Sequence, residues 1–285
     1  MLDPAQFSPG IQKTLLTSAP FWALEHELAV RYFATELRTE ETDKRWIGHQ
    51  MFKEWTGSGV YGPRSTTVAT MIREVAEEIV GLDSGSVAPN PLRSTYVKLS
   101  FASDELRHYA QLHDLYLLAE KSSPPPSIAD LGYLDGGREL TELRLKWRED
   151  RLGEIAVDLS EGGGLGLYFG IRSSAAHLDS SAEVDREILE VAERTIEDET
   201  RHLLGRFRSA QKHELTEPDW TRISALLREI SHQKLIERNE QFNFVLSDDE
   251  IAKVLDSPDL ELAQTFLTTH LGFLLDELGL TAHVD

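Results

Sequence analysis

The chain contains one five-residue pattern twice, Asp104-Glu105-Leu106-Arg107-His108 and Asp198-Glu199-Thr200-Arg201-His202. On an α-helix, a Glu and a His three positions apart lie on one face, so each pattern can present a carboxylate and an imidazole to one metal ion. Two such pairs, with one Glu from each of two further helices, make the ligand set of a dinuclear carboxylate site. The repeat therefore predicts a site for two metal ions.

The repeat carries more information than a single Glu-x-x-His sequence. With 30 Glu and 10 His in 285 residues, chance produces about one such sequence, so a lone occurrence is a weak signal. A third occurrence, Glu229 to His232, lacks the flanking Asp and Arg, and we interpret it as surface. The shared Asp and Arg and the apolar helical setting distinguish the other two.

The two remaining carboxylate ligands are sought among acidic residues on apolar helix faces. Glu25 has Phe21, Trp22, Leu28, Ala29 and Tyr32 at helical spacing, and Glu161 has Val157, Leu165 and Tyr168. A carboxylate inside such a stripe is buried and needs a partner or a metal ion. Both Glu residues also precede a Tyr-Phe pair by seven positions. We therefore predict Glu25 and Glu161 as ligands.

The first of these two ligands has rivals in the sequence. Glu27 lies two positions from Glu25, and Glu74, Glu77 and Glu78 lie closer to Glu105 along the chain. Their helix faces are more polar than that of Glu25, but position alone does not exclude them. Asp104 and Asp198 have a different expected role, because an Asp that accepts a His N–H orients that ligand.

The hydrophobic periodicity predicts helices almost throughout, and strand-like alternation is nearly absent, so the fold class is all-α. The motifs fall on predicted helices from Leu92 to about Lys121 and from about Ser181 to His213. A further helix from Leu152 to about Ala176 contains Gly162-Gly163-Gly164, which indicates either needed space or a helix distortion. We expect one helical domain over residues 1–285, with a metal-binding core at about 15–213 and accessory helices at 214–285.

Composition excludes several classes of function. The chain has no Cys, which excludes disulfides, Cys-ligated zinc and iron–sulfur clusters. A net charge of −20 argues against nucleic-acid binding. No apolar run approaches the length that crosses a bilayer, and Met1-Leu2-Asp3-Pro4 does not begin a secretory signal. We expect a cytoplasmic protein, and a homodimer as the commonest assembly.

The paired motifs, with Ser160-Glu161 and the glycines that follow, resemble the ferritin-like non-haem di-iron carboxylate superfamily, in its oxygenase and oxidase branch. The resemblance implies a four-helix bundle, here with an N-terminal insertion and additional C-terminal helices. It implies that Glu105 and Glu199 bridge or cap two metal ions, while His108 and His202 each bind one. Glu25 and Glu161 would be terminal ligands, and the metals would be two Fe ions or one Fe and one Mn.

The function implied is that of a di-iron oxygenase or oxidase, which uses O₂ to N-oxygenate, hydroxylate or desaturate a small organic substrate in specialised metabolism. Electrons would come from a partner protein or an external donor. Two alternatives stay open at this point. One is a ferroxidase or iron-handling protein, and the other is a non-catalytic helical scaffold whose motifs form buried ion pairs.

Overall fold

The computed structural model describes residues 8–56, 68–83, 92–120, 126–132, 134–160 and 164–272. Within these ranges every regular element is helical and no β-strand occurs. The all-α prediction is therefore confirmed for the part of the chain that the structure describes. The ferritin-like arrangement of four helices stays a prediction.

The α-helices are α1 Pro9–Ala34, α2 Glu40–Thr56, α3 Val68–Asp83, α4 Leu92–Ala119, α5 Ile128–Leu131, α6 Asp135–Trp147, α7 Arg151–Leu159, α8 Gly164–Ser173, α9 Glu183–Ala210, α10 Glu217–Gln241, α11 Asp248–Asp256 and α12 Leu260–His270. Two helices, α7 and α8, occur where the sequence predicted one, and residues 161–163 between them lie outside the described residues. None of the described helices combines the length and the apolar composition needed to cross a bilayer.

The chain divides into two compact units. The first comprises Met1–Thr39 and Asp135–Asp285, and the second comprises Glu40–Leu134. The second motif therefore belongs to the first unit, and the first motif belongs to the second unit. The expectation of a single domain stays a prediction.

In the first unit, α1 packs against α8, α10 and α12, and α10 also packs against α6 and α7. The contact between α1 and α8 is close because glycines of α8 face the backbone of α1. A Cβ atom built at Gly166 would lie 2.5 Å from the carbonyl oxygen of Trp22, and one at Gly170 would lie 2.6 Å from that of His26. These two glycines therefore allow α8 to lie close to α1 along the segment of α1 that contains Glu25.

In the second unit, α2 and α4 form an antiparallel pair, and α3 packs on α4. Lys44 near the start of α2 binds Glu120, just after the end of α4, with 2.7 Å between Nζ and Oε2. Between the two helices the buried side chains are mainly apolar, among them Ile47, Met51, Leu112 and Leu115. This pairing brings the end of α2 next to the middle of α4, where the first motif lies.

Candidate metal centre

The end of α2 and the middle of α4 bring together three side chains of the kind that bind metals: Glu54, Glu105 and His108. One ligand atom from each lies within 4.8 Å of those from the other two. His108 is completely buried, Glu54 is 6% exposed, and Glu105 is half-buried. Nδ1 of His108 lies 3.3 Å from Oε2 of Glu54. In zinc sites, nitrogen and oxygen ligands lie about 2.0–2.2 Å from the ion, so two ligands of one such ion lie at most about 4.4 Å apart. Small side-chain movements therefore suffice for all three to bind one ion.

Hydrogen bonds hold the Glu54 carboxylate in place. Gln50, one turn earlier on α2, donates from Nε2 to Oε1 of Glu54 at 2.6 Å, which leaves Oε2 towards His108. Burial raises the pKa of Glu54, but its interactions with His108, Gln50 and Glu105 together outweigh that effect. The result is a pKa of about 2, so Glu54 is an anion at neutral pH.

The charges around this group favour a bound cation. Glu54 and Glu105 place two acidic side chains beside His108, and a third acidic residue, the buried Asp104, pairs with Arg107. Closely spaced carboxylates in a buried site repel each other unless a proton or a cation lies between them. A divalent cation bound by Glu54, Glu105 and His108 would remove the repulsion between the two carboxylates. Oxygen and imidazole ligands fit Fe(II) or Mn(II).

The two motifs make the same Asp–Arg contact. Oδ1 of Asp104 accepts a hydrogen bond from Arg107, and Oδ1 of Asp198 accepts one from Arg201, at 2.8 Å in both cases. Both Asp side chains are largely buried, whereas the Arg side chains are about half exposed. The Arg therefore covers the Asp from the solvent side and compensates its charge. The hypothesis that the Asp residues orient the His ligands stays a prediction.

In the first unit, α9 carries the second Glu–His pair. His202 is buried, and its Nδ1 lies 3.8 Å from Oε1 of Glu199, which is 12% exposed. The start of α8 lies next to this carboxylate, because a Cβ atom built at Gly164 would lie 3.7 Å from Cδ of Glu199. Gly164 therefore leaves space beside the Glu199 carboxylate. Needed space is one of the two explanations that the sequence offers for the glycine run.

The roles of the other two predicted ligands, Glu25 and Glu161, both stay predictions. Glu25 is 1% exposed on α1, and its Cβ lies 3.0 Å from a Cβ atom built at Gly166 of α8. Its burial agrees with the apolar stripe in the sequence, and its role as a ligand stays a prediction. Glu161 lies outside the described residues, so its role also stays a prediction.

The sequence interpretation missed Glu54. None of the weighed rivals belongs to the group around His108: Glu27 pairs with Arg31, Glu78 pairs with Lys98, and Glu74 and Glu77 are exposed on α3. The signal that could have identified Glu54 is its own helix face, because Ile47 and Met51, seven and three positions earlier, are completely buried. The charged residues at the start of α2 obscured this stripe.

No protein-family model, curated protein or solved structure matches the chain. The resemblance to the di-iron carboxylate proteins therefore depends on the two motifs and the geometry around them.

Proposed function

We propose that the protein is a non-haem di-iron oxidoreductase that uses O₂ to oxidise a small organic substrate. Its two motifs would bind two metal ions, with Glu105 and Glu199 bridging or capping them. His108 and His202 would each bind one ion, and Glu25 and Glu161 would be further ligands. We add Glu54 to this set, because it is buried beside His108 and Glu105.

The observation that carries the proposal is the group formed by Glu54, Glu105 and His108. A buried ion pair would explain one carboxylate beside one imidazole, but it does not explain a second carboxylate in the same group. The second motif supports the proposal independently, because it repeats the buried His and the same Asp–Arg contact.

When bound, a pair of Fe(II) ions supplies the electrons that reduce O₂. The chain positions the ligands before any metal arrives. Gln50 fixes one oxygen of Glu54, so the other oxygen points to His108. His108 and His202 are 0% and 6% exposed, so little bulk water reaches either imidazole. A dry surrounding strengthens every interaction between charges there, which favours tight binding of a divalent ion.

Oxygen consumption distinguishes this function from iron handling. Protein loaded anaerobically with two equivalents of Fe(II) is mixed with O₂ and a chemical reductant, with and without a panel of small amines, acids and phenols. An oxygenase consumes O₂ in repeated turnovers only when a particular organic compound is present. A ferroxidase consumes O₂ in proportion to added Fe(II) when the reductant is left out, and the organic compounds do not change its O₂ consumption.

The Glu105→Ala variant serves as the background in this experiment. If the wild type consumes O₂ no faster than this variant under any of these conditions, the protein is not an O₂-dependent enzyme. The motifs would then be structural ion pairs of a helical scaffold.

A further inference from the structure

Helix α3 exposes a continuous apolar stripe. Val68 and Val75 are buried, but Ile72, Ile79 and Val80 are 41%, 49% and 67% exposed. With two exposed alanines, these three residues make a set of five: Ala69, Ile72, Ala76, Ile79 and Val80. Successive members lie three, four, three and one positions apart, which places all five on one side of a helix. We call these five residues the α3 stripe, and each of them is exposed in the part of the chain that the structure describes.

Two charged residues border one side of the stripe. Arg73 and Glu77 are exposed, and neither makes an ion pair or a side-chain hydrogen bond within the described residues. They lie two positions before and two positions after position 75, which is the middle of the stripe. The opposite charges are therefore arranged symmetrically about its centre.

This symmetry makes the stripe complementary to itself. In an antiparallel pair of α3 helices related by a two-fold axis at position 75, Arg73 of each copy faces Glu77 of the other. The apolar residues of both copies then pack together between the helices. A parallel two-fold pair would instead place the two Arg73 side chains on opposite edges of the interface, where neither faces Glu77 of the other copy. The charges therefore favour a second copy of the chain as the partner, with the two α3 helices antiparallel.

We propose that the α3 stripe is the contact surface of a homodimer, in which two copies of α3 pack antiparallel. Contiguous exposed apolar surface on a protein commonly marks an interaction site. One helix face is small, so the interface falls at the low end of known sizes, about 1,000 Å². We expect a weak dimer with a dissociation constant on the order of 10 μM.

Sedimentation velocity of the full chain between about 5 and 500 μM tests the dimer. We expect concentration-dependent dimerisation, and we expect Ile79→Glu to weaken it at least tenfold by placing a charge in the apolar contact. Leu260→Glu, which changes a 69% exposed leucine on α12, is the control and should leave dimerisation unchanged. A wild type that stays monomeric at 500 μM, or one that dimerises equally well with Ile79→Glu, overturns the proposal.

Exchanging the charges tests the orientation. Arg73→Glu alone and Glu77→Arg alone each place like charges opposite one another twice, so each should weaken the dimer about tenfold. The double variant restores opposite charges and should return to within about threefold of the wild type. Circular dichroism of the monomers at low concentration checks that α3 remains folded. A double variant that dimerises no better than the single variants excludes the antiparallel contact.

Discussion

At the scale of single residues, Gln50 is the clearest supporting side chain of the candidate centre. It is 4% exposed and donates to Glu54 at 2.6 Å. Removing such a partner of a metal ligand commonly costs about 10- to 100-fold in metal affinity. We therefore expect Gln50→Leu to lower the affinity for Fe(II) by about that factor, measured by anaerobic titration.

Gln233→Leu is the control for this prediction. Gln233 also donates hydrogen bonds, to Gly136 and Glu139, but it lies outside the candidate centre. Its replacement should leave the Fe(II) affinity unchanged. Equal affinities for all three proteins would show that Gln50 does not orient a ligand.

A histidine pair predicts how stability depends on pH. The ring of His270 lies 4.8 Å from that of His26 and stacks on Phe169. Burial, followed by the charges of His26 and Arg172, lowers the pKa of His270 to about 4 from 6.5. Between these two values the unfolded chain binds a proton at this position and the folded chain does not. The free energy of unfolding should therefore fall as the pH falls from 6.5 to 4.

Urea denaturation at pH 7.5, 5.5 and 4.5 measures this effect. His270→Phe removes this titrating group. Its free energy of unfolding should therefore fall less between pH 7.5 and 4.5 than that of the wild type. His177→Phe, at an exposed position, should retain the wild-type slope. An unchanged slope in His270→Phe would contradict the assignment to this residue.

At the scale of elements, the close contact of α1 and α8 depends on glycine. A methyl group at Gly166 would meet the backbone oxygen of Trp22 at 2.5 Å, so Gly166→Ala must push the helices apart. We expect a loss of about 1–3 kcal/mol in the free energy of unfolding. Gly205 on α9 has no atom within 4 Å of such a methyl group. Gly205→Ala should instead stabilise the protein by about 0.5–1 kcal/mol. Equal effects of the two substitutions in urea denaturation would contradict the close packing.

The sequence predicted the helices better than their packing. Apolar periodicity depends on local spacing, so it identified α4 and α9 and the motif on each. The partners of a helix depend on contacts between distant segments, which spacing does not encode. Helix α10 lies beyond the predicted core, yet it packs against α1 and completely buries Leu235. The apolar helix face of Glu54 can be recognised in the sequence, but its contact with His108, 54 positions away, cannot.

At the scale of the whole molecule, metal binding should stabilise the fold. A ligand that binds only the folded state at 100 times its dissociation constant adds about 2.7 kcal/mol. For a chain of this size that corresponds to a rise in Tm of about 5–10 °C. We expect this rise with Fe(II) under anaerobic conditions and with Mn(II). Mg²⁺ at the same concentration should produce a much smaller rise, because the sites include imidazole. An equal rise with Mg²⁺ would indicate general binding to a chain of net charge −20.

The most direct test of the account is the number of metal ions bound per chain. Protein expressed with iron supplementation is analysed for Fe and Mn as the wild type, Glu54→Ala, Glu199→Ala and Glu27→Ala. We predict about two ions per chain in the wild type. Glu27 pairs with Arg31 on α1, and its replacement should leave that number unchanged. Glu54→Ala and Glu199→Ala should each bind fewer metal ions per chain than the wild type. A folded wild type without metal that also takes up no Fe(II) anaerobically would contradict the account, as would a Glu54→Ala variant that retains both ions.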